Sequence, residues 1–210
     1  MQSSPSPNPQ QARLTLAPTV SASSSFLFPS LFSFPPFFTR QPNPQTWAHQ
    51  LDQWQALVLA HARFTRTFRL EASDAQCQVE PFRNPSLNRQ LPLPVLHQVL
   101  DALVASGNAA WDPATVPSKG KRGGAVWLYW RRPEEWASVI YDWVKETGQA
   151  GTVMTFYELT DGGDLAHSTE FYRLPDAILR KALDVLARQG KAQVLQGVGE
   201  QGDGVKFVGG

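Results

Sequence analysis

Leu91-Pro-Leu-Pro-Val-Leu-His-Gln-Val-Leu-Asp-Ala-Leu-Val-Ala-Ser-Gly-Asn-Ala109 returns further along the chain as Leu174-Pro-Asp-Ala-Ile-Leu-Arg-Lys-Ala-Leu-Asp-Val-Leu-Ala-Arg-Gln-Gly-Lys-Ala192. At an offset of 83 residues, Leu91, Pro92, Leu96, Leu100, Asp101, Leu103, Gly107 and Ala109 are identical to their counterparts. Amphipathic helices share leucines by chance, but proline before the start and glycine past the end of both segments mark the same helix twice. Upstream, Trp54, Leu57 and Val58 map on Trp136, Val139 and Ile140 at an offset of 82, each set on a helical stripe. The chain is a tandem duplication.

Each repeat ends alike. A glycine-stopped helix leads into a short strand (109–112; 191–195), a glycine-rich loop and a β-rich strand (126–130; 205–208). A first helix, a short middle helix, a longer third helix and a hairpin describe a winged helix. The expectation is therefore an α+β, mainly helical chain of two tandem winged-helix domains, over residues 45–131 and 132–210. In the first repeat the middle element is expected near Asn84–Arg89, after a long Cys77–Pro85 connection. In the second, Thr155-Phe-Tyr-Glu158 is a capping box that starts it after a short Val153–Met154 strand.

Outside the repeats the chain changes character. Residues 1–33 hold nine Ser and five Pro, and the first acidic residue of the whole chain is Asp52. Such a segment buries too little apolar surface to offset its chain entropy, so a disordered tail is expected over 1–33. An organelle transit peptide fits less well, because Arg13 is the only cation before Arg40. A secretory signal is not expected either, as no positive segment leads into an apolar run, and no Asn-x-Ser/Thr sequon occurs, since Asn84 precedes Pro85. Then six Phe fall between Phe26 and Phe38. Pro35 and Pro36 exclude a helix interior there and favour a stiff polyproline-like or β-edge strip over 34–44. Some of these rings must cover the chain's own core. A pre-ordered aromatic strip also loses little entropy on docking into a partner's groove, and the two readings stand level on the residues alone.

Composition excludes several functions. The net charge of +1 on 210 residues supports no overall grip on nucleic acid or anionic lipid. Nothing is apolar for long enough to span a membrane as a helix, and the single Cys77 excludes an internal disulfide framework or a multi-cysteine zinc site. The four histidines (His49, His61, His97, His167) show no metal-ligand spacing. Asp161-Gly-Gly-Asp164 reads as a turn, because the twelve-residue calcium pattern is absent. Gly197-Val-Gly-Glu-Gln-Gly202 is followed by a terminal strand and not by the helix that phosphate binding needs, so it reads as a wing turn. No enzyme, cofactor or metal is expected. A nucleic-acid-binding regulator is the alternative, resting on Lys119, Lys121 and Arg122 in the first wing. The third helix at 94–106 carries no Lys or Arg, and in its counterpart Arg180, Lys181 and Arg188 face Asp176 and Asp184.

Phe34-Pro-Pro-Phe-Phe-Thr-Arg-Gln-Pro-Asn43, Leu128-Tyr-Trp-Arg-Arg-Pro-Glu-Glu-Trp136, Met154-Thr-Phe-Tyr-Glu-Leu159, Glu170-Phe-Tyr-Arg-Leu-Pro175 and Gly204-Val-Lys-Phe207 stand in an order and spacing that resembles the small subunit of the endosomal sorting complex ESCRT-II, the vacuolar protein sorting-associated protein 25 family. The resemblance runs from Phe34 to Phe207. It implies a non-enzymatic, cytoplasmic assembly subunit acting in multivesicular-body sorting and recruited to endosomal membranes through its complex. It further implies that the Pro-Pro-aromatic strip and first domain attach to the two larger ESCRT-II subunits. Two copies then join one of each in a Y-shaped heterotetramer, and the second domain recruits the initiating ESCRT-III subunit. Carried over by motif, the partner-binding residues are Pro35, Pro36, Phe37 and Phe38, with Phe38 where some members have Tyr. Phe28-Pro-Ser-Leu-Phe32 stands where some members carry a second Pro-Pro copy. Residues 1–25 have no counterpart, so their removal is expected to spare folding and assembly.

Overall fold

The computed structural model describes residues 25–115, 124–162, 164–197 and 202–208. Helix α1 (Pro44–Thr65) opens with proline at its first position. The Asn43 side chain accepts from the amides of Gln45 and Thr46 at 2.9 and 3.2 Å, which satisfies two of the four free N-terminal donors. Its buried stripe is Trp47, Gln50, Trp54, Leu57, Val58 and Ala62. Strand β1 (Arg69–Glu71), the one-turn helix α2 (Asp74–Cys77) and a two-residue-stranded hairpin of β2 (Arg83–Asn84) and β3 (Arg89–Gln90) follow, then α3 (Leu93–Ala105), β4 (Ala109–Trp111) and β5 (Ala125–Leu128). The second repeat runs α4 (Pro133–Glu146), β6 (Val153–Thr155), α5 (Phe156–Thr160), the one-turn α6 (Asp164–His167), α7 (Asp176–Arg188), β7 (Ala192–Leu195) and β8 (Gly204–Phe207).

The two repeats close in the same way. Gly107 and Gly190 follow α3 and α7 at φ of +75° and +71°. There the next amide reaches back, from Asn108 to the Leu103 carbonyl and from Lys191 to the Leu186 carbonyl, at 2.9 Å in both. Each domain has its own antiparallel sheet, in the order β1–β5–β4 and β6–β8–β7. Val126 sits between Leu70 and Trp111, and Val205 between Met154 and Val194, both fully buried at the centre of their sheets. Trp54 and Trp136 occupy the matching place on the first helix of each domain, wholly inside. These are two tandem winged helices.

Three expectations change. The middle helix of the first repeat is Asp74–Cys77, capped by the Ser73 hydroxyl accepting from the Gln76 amide at 3.3 Å, while Asn84–Arg89 turns through a hairpin. Pro85 denies Asn84 the helical region, and Asn88 takes a left-handed φ of 49°, which suits a tight turn. The strip is not polyproline-like: Ser30–Ser33 and Pro35–Phe38 are two 3₁₀ turns, separated by an extended Phe34. Packed structure also begins before residue 34. Phe26, Phe28 and Leu31 lie against the first core and Phe32 is inside it, because their rings find partners that composition cannot display. Residues 1–24 and the first-wing residues Lys119, Lys121 and Arg122 lie outside the described residues.

The domains meet on aromatic rings. Phe68 belongs by sequence to the first repeat but lies in the second core, stacked on Trp130 at 5.2 Å, and Trp130 meets Trp136 edge-on at 4.9 Å. Ala110 and Trp127 pack against the same core, and Lys181 Nζ donates to the Tyr129 hydroxyl at 2.6 Å. Arg131 pairs with Glu170 alongside.

Candidate functional site

Relative to the shared tryptophan, the first domain's leading helix starts early. Pro44 lies ten residues before Trp54, whereas Pro133 lies three before Trp136. The difference is about two extra turns at 3.6 residues each. Those turns carry Trp47 and Gln50, and the strip folds back on them. Phe37 stacks on Trp54 at 4.2 Å with ring planes 7° apart, and Phe38 meets the same indole edge-on at 5.5 Å. Phe32 packs on Phe38, Phe28 stacks on Phe32 at 4.0 Å, and Phe26 reaches His61 and Phe64 near the far end of α1. Burial lowers the pKa of His61, with Glu80 opposing.

The strip's carbonyls are held by side chains. Gln50 Nε2 donates to the carbonyls of Phe37 at 2.6 Å and Thr39 at 3.1 Å, Trp54 Nε1 donates to Phe37 at 3.2 Å, and Asn84 Nδ2 donates to Phe32 at 2.8 Å. The first-repeat hairpin, with no equivalent among the described residues of the second, thus supplies a clasp for the strip.

The four residues carried over by motif therefore divide. Phe37 and Phe38 are 3% and 2% exposed and fill the chain's own core, so their rings are not a free docking face. Pro35 and Pro36 are exposed, and beside them Phe34 is 54% exposed. Between this outer face and α1 lies a groove of about 340 Å³ lined by Leu31, Phe34, Pro36, Gln41, His49 and Gln53 among others, with no Lys, Arg, Asp or Glu on its walls. Sequence reading missed Gln50. Its one signal was an amide on a buried face, four residues before Trp54, where the stripe calls for an apolar side chain.

The remaining candidates carry little chemistry. Burial and nearby Asp74 raise the pKa of Cys77, which keeps it a thiol. Among the described residues no group of three or more His, Cys, Asp or Glu could hold a metal ion, and no helix is long and apolar enough to cross a membrane. Of the cations on α7, Arg180 pairs with Asp203 and Lys181 is turned to Tyr129. Two of the three cations on the helix that would enter a DNA groove are thus engaged within the protein, which leaves Arg188 exposed at its end.

The chain is thus a tandem winged helix with no Lys or Arg on its first third helix, with Arg180 and Lys181 of the second engaged within the protein, and with an exposed proline–aromatic face. Residues 31–175 match the family described as ESCRT-II complex subunit. The vacuolar protein-sorting-associated protein 25 of Bos taurus is 39% identical over 183 residues, spanning 87% of this chain and 98% of its own length, and that of Dictyostelium discoideum is 34% identical over 189 residues, spanning 87% and 96%. The fold superimposes on the crystal structure of subunit VPS25 of the endosomal trafficking complex ESCRT-II with a TM-score of 0.74, at 22% identity over 86% of this chain and 98% of that one. The crystal structure of endosomal complex ESCRT-II (VPS22/VPS25/VPS36) gives 0.70, at 23% identity over 86% and 98%. The chain belongs to the ESCRT-II complex subunit family.

Proposed function

We propose that this chain is the small assembly subunit of ESCRT-II in multivesicular-body sorting, held to the two larger subunits by its N-terminal strip and first domain, with the second domain recruiting ESCRT-III. The observation that carries the reading is the strip itself. Its inner rings are committed to the core, so Phe34, Pro35 and Pro36 are presented in one conformation beside an uncharged groove, and docking there loses little further entropy. An uncharged wall suits an apolar, neutral segment of a larger subunit. Support comes also from the relatives above and from a solved complex that contains VPS22 and VPS36 with VPS25. The chain works in the cytoplasm and reaches endosomal membranes through its complex, without cofactor or catalysis.

Deleting residues through Phe38 is not a clean test, because it removes Phe32, Phe37 and Phe38 from the core. The experiment is Phe34→Ala and Pro36→Ala in the full chain, titrated against the two larger subunits. Exposed anchors of a central contact cost about 2 kcal/mol or more in affinity, with melting unchanged. Unaltered affinity in both variants would place the attachment elsewhere.

A further inference from the structure

Gln50 is 5% exposed and sits on the apolar stripe of α1 between Trp47 and Trp54. Folding by itself does not call for an amide there, since an apolar side chain of the same length buries without desolvation cost. Its contacts all lead to the strip. Nε2 faces the carbonyls of Pro36, Phe37 and Thr39, and Oε1 accepts from the Gln41 amide at 3.3 Å, so one side chain bridges the whole 3₁₀ turn to α1. The carbonyls have second donors. Trp54 Nε1 serves Phe37, and Gln41 Nε2 serves Pro36 at 3.1 Å and Thr39 at 3.0 Å. What Gln50 adds is the tie between turn and helix. At the 82-residue offset, its place in the second repeat is held by Arg132, the N-cap residue of α4, whose backbone amide donates to the Glu135 carboxylate at 2.7 Å.

We propose that Gln50 is a positioning residue for docking: it fixes Phe34 and Pro36 relative to the wall of the groove formed by Thr46, His49 and Gln53. The inference rests on the strip-docking reading and adds to it a residue that need not touch the partner. With the tie gone, the turn samples orientations in which the outer face no longer matches the partner, and affinity falls while the core stays closed.

The test uses the full chain and the co-expressed pair of larger subunits, with affinity and thermal melting measured for Gln50→Leu, Phe34→Ala, their double variant and Leu103→Val. The last loosens the same core on α3, away from the strip, and so reports what lost stability alone does to binding. Gln50→Leu is expected to weaken binding by about tenfold, Leu103→Val by less than about twofold, and Phe34→Ala to cost less in the Gln50→Leu background than in the native chain. Gln50→Leu binding as the native chain does, or weakening no more than Leu103→Val, overturns the proposal. If Phe34→Ala weakens binding while Gln50→Leu does not, the positioning role alone is lost. If Phe34→Ala has no effect, the docking reading fails and this inference falls with it.

Discussion

The indole of Trp54 holds Phe37 twice: the rings stack at 4.2 Å, and Nε1 donates to the Phe37 carbonyl at 3.2 Å. A segment that by sequence precedes the first domain is therefore part of its core. The second domain solves the same problem with different material. Trp136 is covered by Trp130, with the Arg131 guanidinium 5.7 Å from its ring centre. In each domain the residues just ahead of the first helix fold back on its buried tryptophan.

Phe37→Ala is expected to destabilise the first domain by about 3–5 kcal/mol, the usual range for emptying a buried phenylalanine site. Denaturant unfolding of the isolated chain measures it. A loss under about 1 kcal/mol would mean that the strip is not part of the folded core.

Trp130→Ala should uncouple the domains. Removing the indole takes away the ring between Phe68 and Trp136, and unfolding, expected as one transition in the native chain, is expected to split into two. Calorimetry reads this directly. A single, merely lowered transition would place the coupling in the Lys181–Tyr129 and Arg131–Glu170 contacts instead.

Gly107→Ala and Gly190→Ala should cost about 1 kcal/mol each, and nearly the same amount. Both glycines have positive φ, and an added Cβ would meet nothing within 4 Å at either, so the penalty is conformational alone. Unequal losses would show that the two helix ends are not energetically equivalent.

The first domain should weaken in mild acid through His61. Burial against Phe26 and Phe28 depresses its folded pKa below 6.5, and Glu80 offsets only part of this. A depressed folded value means that the unfolded chain takes up the proton first. The contribution is full above about pH 6.5 and is lost as pH falls through the folded value. His61→Gln should flatten the stability profile in that window; an unchanged slope between pH 7 and 5 would assign it to other groups.

Much of this was legible in the residues. The repeat at 83 residues located both third helices, their glycine stops and both hairpins, because a helix that must bury one face repeats leucine at fixed spacing and ends where glycine admits positive φ. The Thr155–Glu158 capping box placed α5 for the same local reason: the Thr155 hydroxyl accepts from the Glu158 amide, and the Glu158 carboxylate accepts from the Thr155 amide at 2.7 Å. Strand β1, only three residues long, has no period to read and exists because β5 offers it an edge.

What local pattern determined, then, is the duplication and most of its helices and strands, since capping, turns and amphipathic stripes act within a few residues. Tertiary structure alone decided which side of the Pro-Pro-aromatic strip faces a partner. The sequence shows six phenylalanines in thirteen positions, but their division into core and surface depends on Trp54, Gln50 and Asn84, which lie 17, 13 and 52 residues from their bonded strip carbonyls. Contacts over such separations leave no periodic trace in the chain. They exist only once α1 and the hairpin are in place to receive the rings.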